Sequence, residues 1–157
     1  MAQSFGDDSG TIIGRVRKAF LFSCETGMRE GEVAELTKEN LHLDRNFCKV
    51  EQGKTSAARR DVPLSPAAVA ILKEMVAAST TESVFNLTTP QIDSHFRKGR
   101  DKALIQDLHF HDSRHVAITK LSKKLDILEL ARAVGIRDLK TLMVYYNETA
   151  EEIAKKL

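Results

Sequence analysis

Cysteine is scarce in this chain, with only Cys24 and Cys48 among 157 residues. Their separation fits no metal-binding or redox motif. Cys24 ends the apolar run Ala19-Phe20-Leu21-Phe22-Ser23-Cys24, where a buried structural thiol is expected rather than a nucleophile. No apolar run is long enough to span a membrane, and no N-terminal stretch has the pattern of a signal peptide. A reducing cytoplasm is the expected setting. Internal repeats and low-complexity tracts are absent, which excludes solenoids and arrays. Neither sign of charge dominates: 24 lysines and arginines face 22 acidic residues, for a net charge of +2. Bulk charge therefore does not announce a polyanionic partner, and any basic surface must come from clustering.

The chain is long enough for one domain with a real core, and its 42% hydrophobic and 29% charged residues are ordinary for a globular protein. Basic residues do cluster. One group is Lys54, Arg59 and Arg60; another is Arg97, Lys98, Arg100 and Lys102; a third is Lys120, Lys123 and Lys124. A single such group is usually a solvated face, but three of them flank the residues singled out below.

Residues 1–10 are polar and glycine-containing and read as a disordered lead-in or a cloning remnant. From Thr11 to Thr26 apolar residues recur at helical spacing, and Gly27 ends that helix. A short helix with Val33, Ala34 and Leu36 on its apolar face follows. The period then changes. Leu41-His42-Leu43, Phe47 to Glu51 and Arg60 to Pro63 read as three short strands, with turns at Asp44 to Asn46 and Gly53 to Ala58. Ser65-Pro66 opens a helix by a cap followed by proline. The remainder reads as helices: from Thr89 to about Leu104, from His111 or Asp112 to about Lys124, from the Asp126 cap to Val134, from an Asp138 cap to Tyr146, and from Thr149 to Leu157. The expected fold is mainly α with a small three-stranded antiparallel β-sheet.

The chemically distinctive stretch is His111-Asp112-Ser113-Arg114-His115, taken with Arg29 upstream and Tyr145 downstream. Arginine forks neutralise a phosphate, a histidine moves a proton, and a tyrosine supplies a nucleophilic oxygen. Together they suit attack on a phosphodiester without a metal. His109, His111 and His115 also raise the question of a metal site, but no cysteine or carboxylate completes one, and none is expected.

Three boxes and a hairpin carry a family resemblance. Thr26-Gly27-Met28-Arg29-Glu30-Gly31-Glu32-Val33-Ala34-Glu35-Leu36 resembles the first signature box of the tyrosine recombinases, or phage integrase family. His111 to His115 resembles the second box. Gly135 to Tyr145 resembles the segment that ends in the nucleophile. The strand-turn-strand from Val50 to Pro63 is similar to the hairpin bearing the family's catalytic lysine. The resemblance covers roughly residues 15–150. It implies that residues 11–157 form a catalytic domain without the N-terminal core-binding domain of longer members.

The same resemblance implies the roles. Tyr145 is the nucleophile, forming a 3′-phosphotyrosyl link and freeing a 5′-hydroxyl, with no cofactor. Tyr146 is adjacent and stays open as an alternative. Arg29 and Arg114 grip the non-bridging oxygens. Lys54 is the general acid, with Arg59 and Arg60 as rivals for nearby phosphate contacts. His111 exchanges a proton with the tyrosine or bonds the phosphate. Glu32 and His115 support the site. Arg59, Arg60, Arg97, Lys98 and Arg100 are the expected DNA contacts. The implied partner is double-stranded DNA at specific recombination sites, in a bacterial or phage-infected cell and at its nucleoid. Self-association on DNA is implied through the C-terminal helix, whose alternative is to pack on its own domain.

One departure stands out. The family's Leu-Gly-His reads Val134-Gly135-Ile136 here, and isoleucine cannot donate to a phosphate. Reduced cleavage follows as an expectation, with Arg137 as a candidate substitute donor. The rival expectation is an integrase-like DNA-binding module with weakened catalysis and an architectural or regulatory role.

Overall fold

The computed structural model describes residues 9–51, 53, 56 and 58–157. Eight α-helices surround a three-stranded sheet among the described residues, in the order α1 (Ile12–Thr26), α2 (Glu30–Glu35), β1 (Leu41–His42), β2 (Phe47–Val50), β3 (Arg60–Pro63), α3 (Pro66–Ala78), α4 (Thr89–Lys102), α5 (Asp112–Ser122), α6 (Ile127–Val134), α7 (Lys140–Met143) and α8 (Ala150–Ala154). This is the mainly helical architecture with a small antiparallel sheet that the change of period predicts.

Helix α1 is the central post. The Thr11 hydroxyl caps it by accepting from the Gly14 amide, and Val16, Ala19, Phe22 and Ser23 bury one face. Helices α3, α4 and α5 all pack on it. Its end is set by Gly27 in the left-handed conformation, at φ 71°. A side chain there is disfavoured twice over: the φ strains it, and a Cβ would crowd Val134 Cγ1 at 3.0 Å. The end of α1 thereby sits directly against the end of α6.

The sheet runs β1-β2-β3, antiparallel throughout, with Cys48 opposite Val62 and Val50 opposite Arg60. Cys48, Val50 and Val62 face the core, as strand alternation requires. Pro63 is accommodated because β3 is an edge strand. The main core gathers α1 to α4 and the sheet around Phe22, Met28, Leu72, Met75 and Phe85. A second, smaller core of Ile118, Leu130, Ala131, Val134 and Leu142 joins α5, α6 and α7. The candidate site lies where the two cores meet.

Two elements differ from the sequence expectation. Asp138 does not cap a long helix to Tyr146; α7 is a single turn whose boundary residue is Leu139. The Asp138 carboxylate accepts from the Lys140 amide, and its carbonyl accepts from the Thr141 hydroxyl. These local bonds compete with helix extension. Tyr145 and Tyr146 then fall in a turn closed by their amides on the Leu142 and Met143 carbonyls, both 3.0 Å. The last helix is also short, five residues rather than the nine from Thr149 to Leu157, and buries none of its residues. Cys48 is buried, whereas Cys24, expected to be buried, is only partly so. Burial, then the Glu25 charge, pushes the Cys24 thiol up to about 11 against the opposing pull of Lys120, and burial pushes Cys48 up to about 12.

Candidate active site

Arg114 enters the site from the first turns of α5 and is buried. One terminal nitrogen donates to the Gly27 carbonyl and the other to the Val134 carbonyl at 2.7 Å. Both carbonyls belong to helix C-terminal ends, where the orphaned acceptors and the negative end of the dipole favour a cation. Arg114 therefore pins α1 to α6 without a carboxylate partner. Burial first, then the charges of Arg29 and Arg60, pull its pKa down to about 10, with Glu32 opposing. It stays protonated at neutral pH.

Arg29 lies two residues beyond the Gly27 turn, as the N-terminal boundary residue of α2. Its side chain is 44% exposed, and its guanidinium reaches Glu32 at 3.3 Å. Glu32 organises this corner. Its carboxylate also accepts from the Arg29 amide at 2.9 Å and takes two parallel bonds from Arg60, each 2.9 Å. Arg60 in turn donates to the Ala133 carbonyl beside the Arg114 anchor. Burial pushes the Glu32 carboxyl up, but the Arg60 bond and charge, with the Arg29 amide and charge, outweigh it and hold the group below 4.5.

The sign of the pH dependence follows. A depressed carboxyl contributes stability above its unfolded pKa, and that contribution is lost as pH falls through the folded value. Glu32→Ala is expected to cost about 3 kcal/mol, because it strands a buried guanidinium. Glu32→Gln should flatten the fall in thermal stability below pH 4.5, which melting curves across an acid series measure.

His111 stands at the start of α5, and Asp112 caps the preceding turn by accepting from the His109 amide at 2.7 Å. Burial, then His115, Arg114 and Arg29, hold the His111 imidazole below 6.5 against the pull of Asp112. The His115 ring stands edge-on to it, with centroids 5.5 Å apart. The His115 Nδ1 lies 3.4 Å from the Tyr145 hydroxyl. Tyr145 borders a cleft of about 440 Å³ that Thr119, Lys123, Asn147 and Glu148 also line. The Tyr146 hydroxyl points elsewhere and donates to the Leu125 carbonyl at 2.8 Å.

Arg29 and Glu32 thus bond at one corner, His111, His115 and Tyr145 adjoin in a second group, and the charges of Arg114 and Arg29 reach His111 between them. With this geometry in hand, comparison with known proteins is decisive. The family model described as "Phage integrase family" matches residues 8–152. An integrase/recombinase of Haemophilus influenzae is 35% identical over 153 residues, spanning 96% of this chain and 50% of that protein. The chain belongs to the phage integrase family. The shufflon-specific DNA recombinase of Escherichia coli is 32% identical over 140 residues, covering 88% of this chain and 36% of the relative. This integrase-family chain thus spans half or less of the length of these curated relatives. Among solved structures, the XerA recombinase superposes with a TM-score of 0.68 at 20% identity, over 97% of this chain and 62% of that one. The Tn1549 transposon integrase in complex with circular intermediate DNA gives 0.64 at 15% identity, over 88% and 57%. The fold is the tyrosine recombinase catalytic-domain fold.

Within that fold some expected contacts are placed differently. Arg60 is not a surface cation: its side chain is 6% exposed and committed to Glu32, Ala133 and Ala58. Arg100 is bound to its neighbour Asp101 at 2.9 Å and to the Leu108 carbonyl at 3.3 Å, so it closes the end of α4 rather than offering a free charge. Arg59, Arg97 and Lys98 are exposed. Lys54 lies outside the described residues. Arg137 is exposed and donates to the Ser56 hydroxyl of the β2–β3 connection. Ile136 is half-buried against the second core, which gives an apolar side chain a place there.

Two features escaped the sequence. The Arg60–Glu32 pair joins residues far apart in the chain, and no local signal reports it. The His115–Tyr145 contact is equally tertiary, although the one-turn spacing of His111 and His115 hinted at a paired face.

Proposed function

We propose that this chain is the strand-cleaving part of a site-specific recombinase, acting on double-stranded DNA by way of a 3′-phosphotyrosyl intermediate. The observation that carries the reading is the division of labour between the two tyrosines. Tyr146 is spent on a backbone carbonyl, whereas the Tyr145 hydroxyl meets a histidine at the edge of a cleft. Attack by the Tyr145 oxygen on phosphorus displaces the 5′-oxygen and conserves the ester energy, so rejoining needs no external energy source. Arg114 uses one N–H from each terminal nitrogen on carbonyls, and a guanidinium carries five N–H donors. The remaining ones and the exposed fork of Arg29 suit the non-bridging oxygens, where charge grows in the transition state. His111, exposed at the start of α5, fits a hydrogen bond to the phosphate. The family resemblance assigns Lys54 as the acid for the leaving oxygen. Arg59, Arg97 and Lys98 suit backbone phosphates, a contribution that weakens with salt. The C-terminal segment, with Ile153 of α8 and Leu157 beyond it exposed, suits docking on a second protomer bound to the same DNA.

The test is covalent trapping. Duplexes containing a 5′-bridging phosphorothiolate are incubated with the protein and resolved on denaturing gels. A protein–DNA adduct supports strand cleavage. Salt-sensitive binding with no adduct supports the second reading, a DNA-binding module of architectural or regulatory role, which Ile136 favours. Ile136→His restores a donor where the family carries one. It should raise cleavage by about a hundredfold, the usual worth of one oxyanion donor. Single-turnover rates on the same duplex measure it, and an unchanged rate refutes the importance of that position.

A further inference from the structure

His111, at the N-terminal boundary of α5, and His115, in its first turns, are both exposed. The one with a described contact to the Tyr145 hydroxyl is His115, at 3.4 Å through Nδ1. We propose that His115 is the catalytic base that takes the proton from Tyr145. The assignment rests on the strand-cleaving reading above. His111 is thereby released for the phosphate, toward which its place beside Arg114 and Arg29 already inclines it.

The step balances simply. With Nε2 protonated, the His115 Nδ1 lone pair accepts the phenolic proton as the Tyr145 oxygen bonds to phosphorus. The bond from phosphorus to the 5′-oxygen breaks, and that oxygen leaves with a proton from the general acid. On rejoining, an incoming 5′-hydroxyl gives its proton to the group that acted as general acid and attacks the phosphotyrosine; the phosphorus–phenolic oxygen bond breaks, and the His115 imidazolium returns its proton to the departing phenolate. The distance is long for a hydrogen bond, which is common before substrate draws catalytic groups together. Geometry also separates this role from a structural one. The His115 side chain is exposed on α5 and belongs to neither core. Its only described polar contact is Tyr145.

The experiment compares the wild-type chain, His115→Ala, His115→Asn and Tyr145→Phe. The probe is a pool of duplexes, each with one 5′-bridging phosphorothiolate within randomised sequence. The thiolate leaves without a general acid, so the readout isolates the nucleophile side. His115→Ala should form adduct about a hundred- to ten-thousandfold more slowly, the usual worth of a general base. Its melting temperature and its binding to the pool should be unchanged. His115→Asn should be similarly slow, because asparagine keeps a polar group there but cannot take the proton. Added imidazole should accelerate His115→Ala and leave Tyr145→Phe inert. A wild-type rate in either His115 variant, or no response to imidazole, overturns the assignment while leaving the strand-cleaving reading intact. A wild-type chain that forms no adduct overturns that reading, and the assignment with it.

Discussion

Tyr145→Phe is expected to eliminate covalent attachment to DNA, whereas Tyr146→Phe is expected to retain it. The two substitutions remove the same atom from adjacent residues, so they separate chemistry from packing cleanly. Phenylalanine at position 145 leaves no oxygen to attack phosphorus, and no neighbouring group can replace it. Its fold should be intact, since among the described residues the Tyr145 hydroxyl meets only the exposed His115. At position 146 the hydroxyl serves the Leu125 carbonyl, which ties the turn after α7 to the end of α5. Burial, followed by the charges of Asp126, Glu148 and Glu129, pushes the Tyr146 phenol up, the opposite of what a nucleophile wants. Losing that bond should cost about 1 kcal/mol, which for a domain of this size lowers the melting temperature by about 2–4 °C. Gel trapping and thermal melts of both variants give the pattern directly. Retained cleavage in Tyr145→Phe would reverse it.

Arg114→Ala carries the second large effect, and it acts on stability and chemistry together. Truncation removes the donors to the Gly27 and Val134 carbonyls. Each buried acceptor left unpaired costs about 1–3 kcal/mol, so a total of about 2–6 kcal/mol is expected for the two. Arg29 differs, because its side chain is nearly half exposed and bonds one carboxylate. Arg29→Ala should leave the melting temperature nearly unchanged while lowering cleavage by about a hundredfold or more through the lost phosphate donor. Arg114→Lys separates the two roles of that side chain. Lysine keeps the cation near the helix ends but is a point charge that cannot fork across two carbonyls and a phosphate. It should recover part of the stability and little of the rate. Urea denaturation and single-turnover cleavage of the same variants test both halves. An Arg114→Ala variant as stable as wild type would show that the two helix ends are held by something else.

Much of the fold was legible because its signals are local. Helical periodicity marked α1, and the glycine that ends it holds a backbone angle at which a side chain is strained. The loss of that period announced the sheet. Ser65 with Pro66 and the Asp126 capping box fixed two helix starts. Where local bonds compete, periodicity misled: the Asp138 turn absorbs the residues expected to extend α7. The candidate site was legible as a set of residue types in order. What the sequence withheld was their tertiary allotment. Basic charge alone could not tell the buried Arg60, wedded to Glu32, from the exposed Arg59 beside it. Nor could adjacency tell Tyr145 from Tyr146, since the deciding partners, His115 and Leu125, come from the two ends of the α5 region.

The decisive measurement is the identity of the residue that carries DNA after trapping. Adduct formed on a 5′-bridging phosphorothiolate duplex is digested with nuclease and protease, and the nucleotide-bearing peptide is sequenced by mass spectrometry. The expected result is a 3′-phosphonucleotide on the Tyr145 oxygen and nowhere else. A nucleotide on Tyr146 or on any other side chain, or no adduct at all from a protein that binds the duplex, contradicts it.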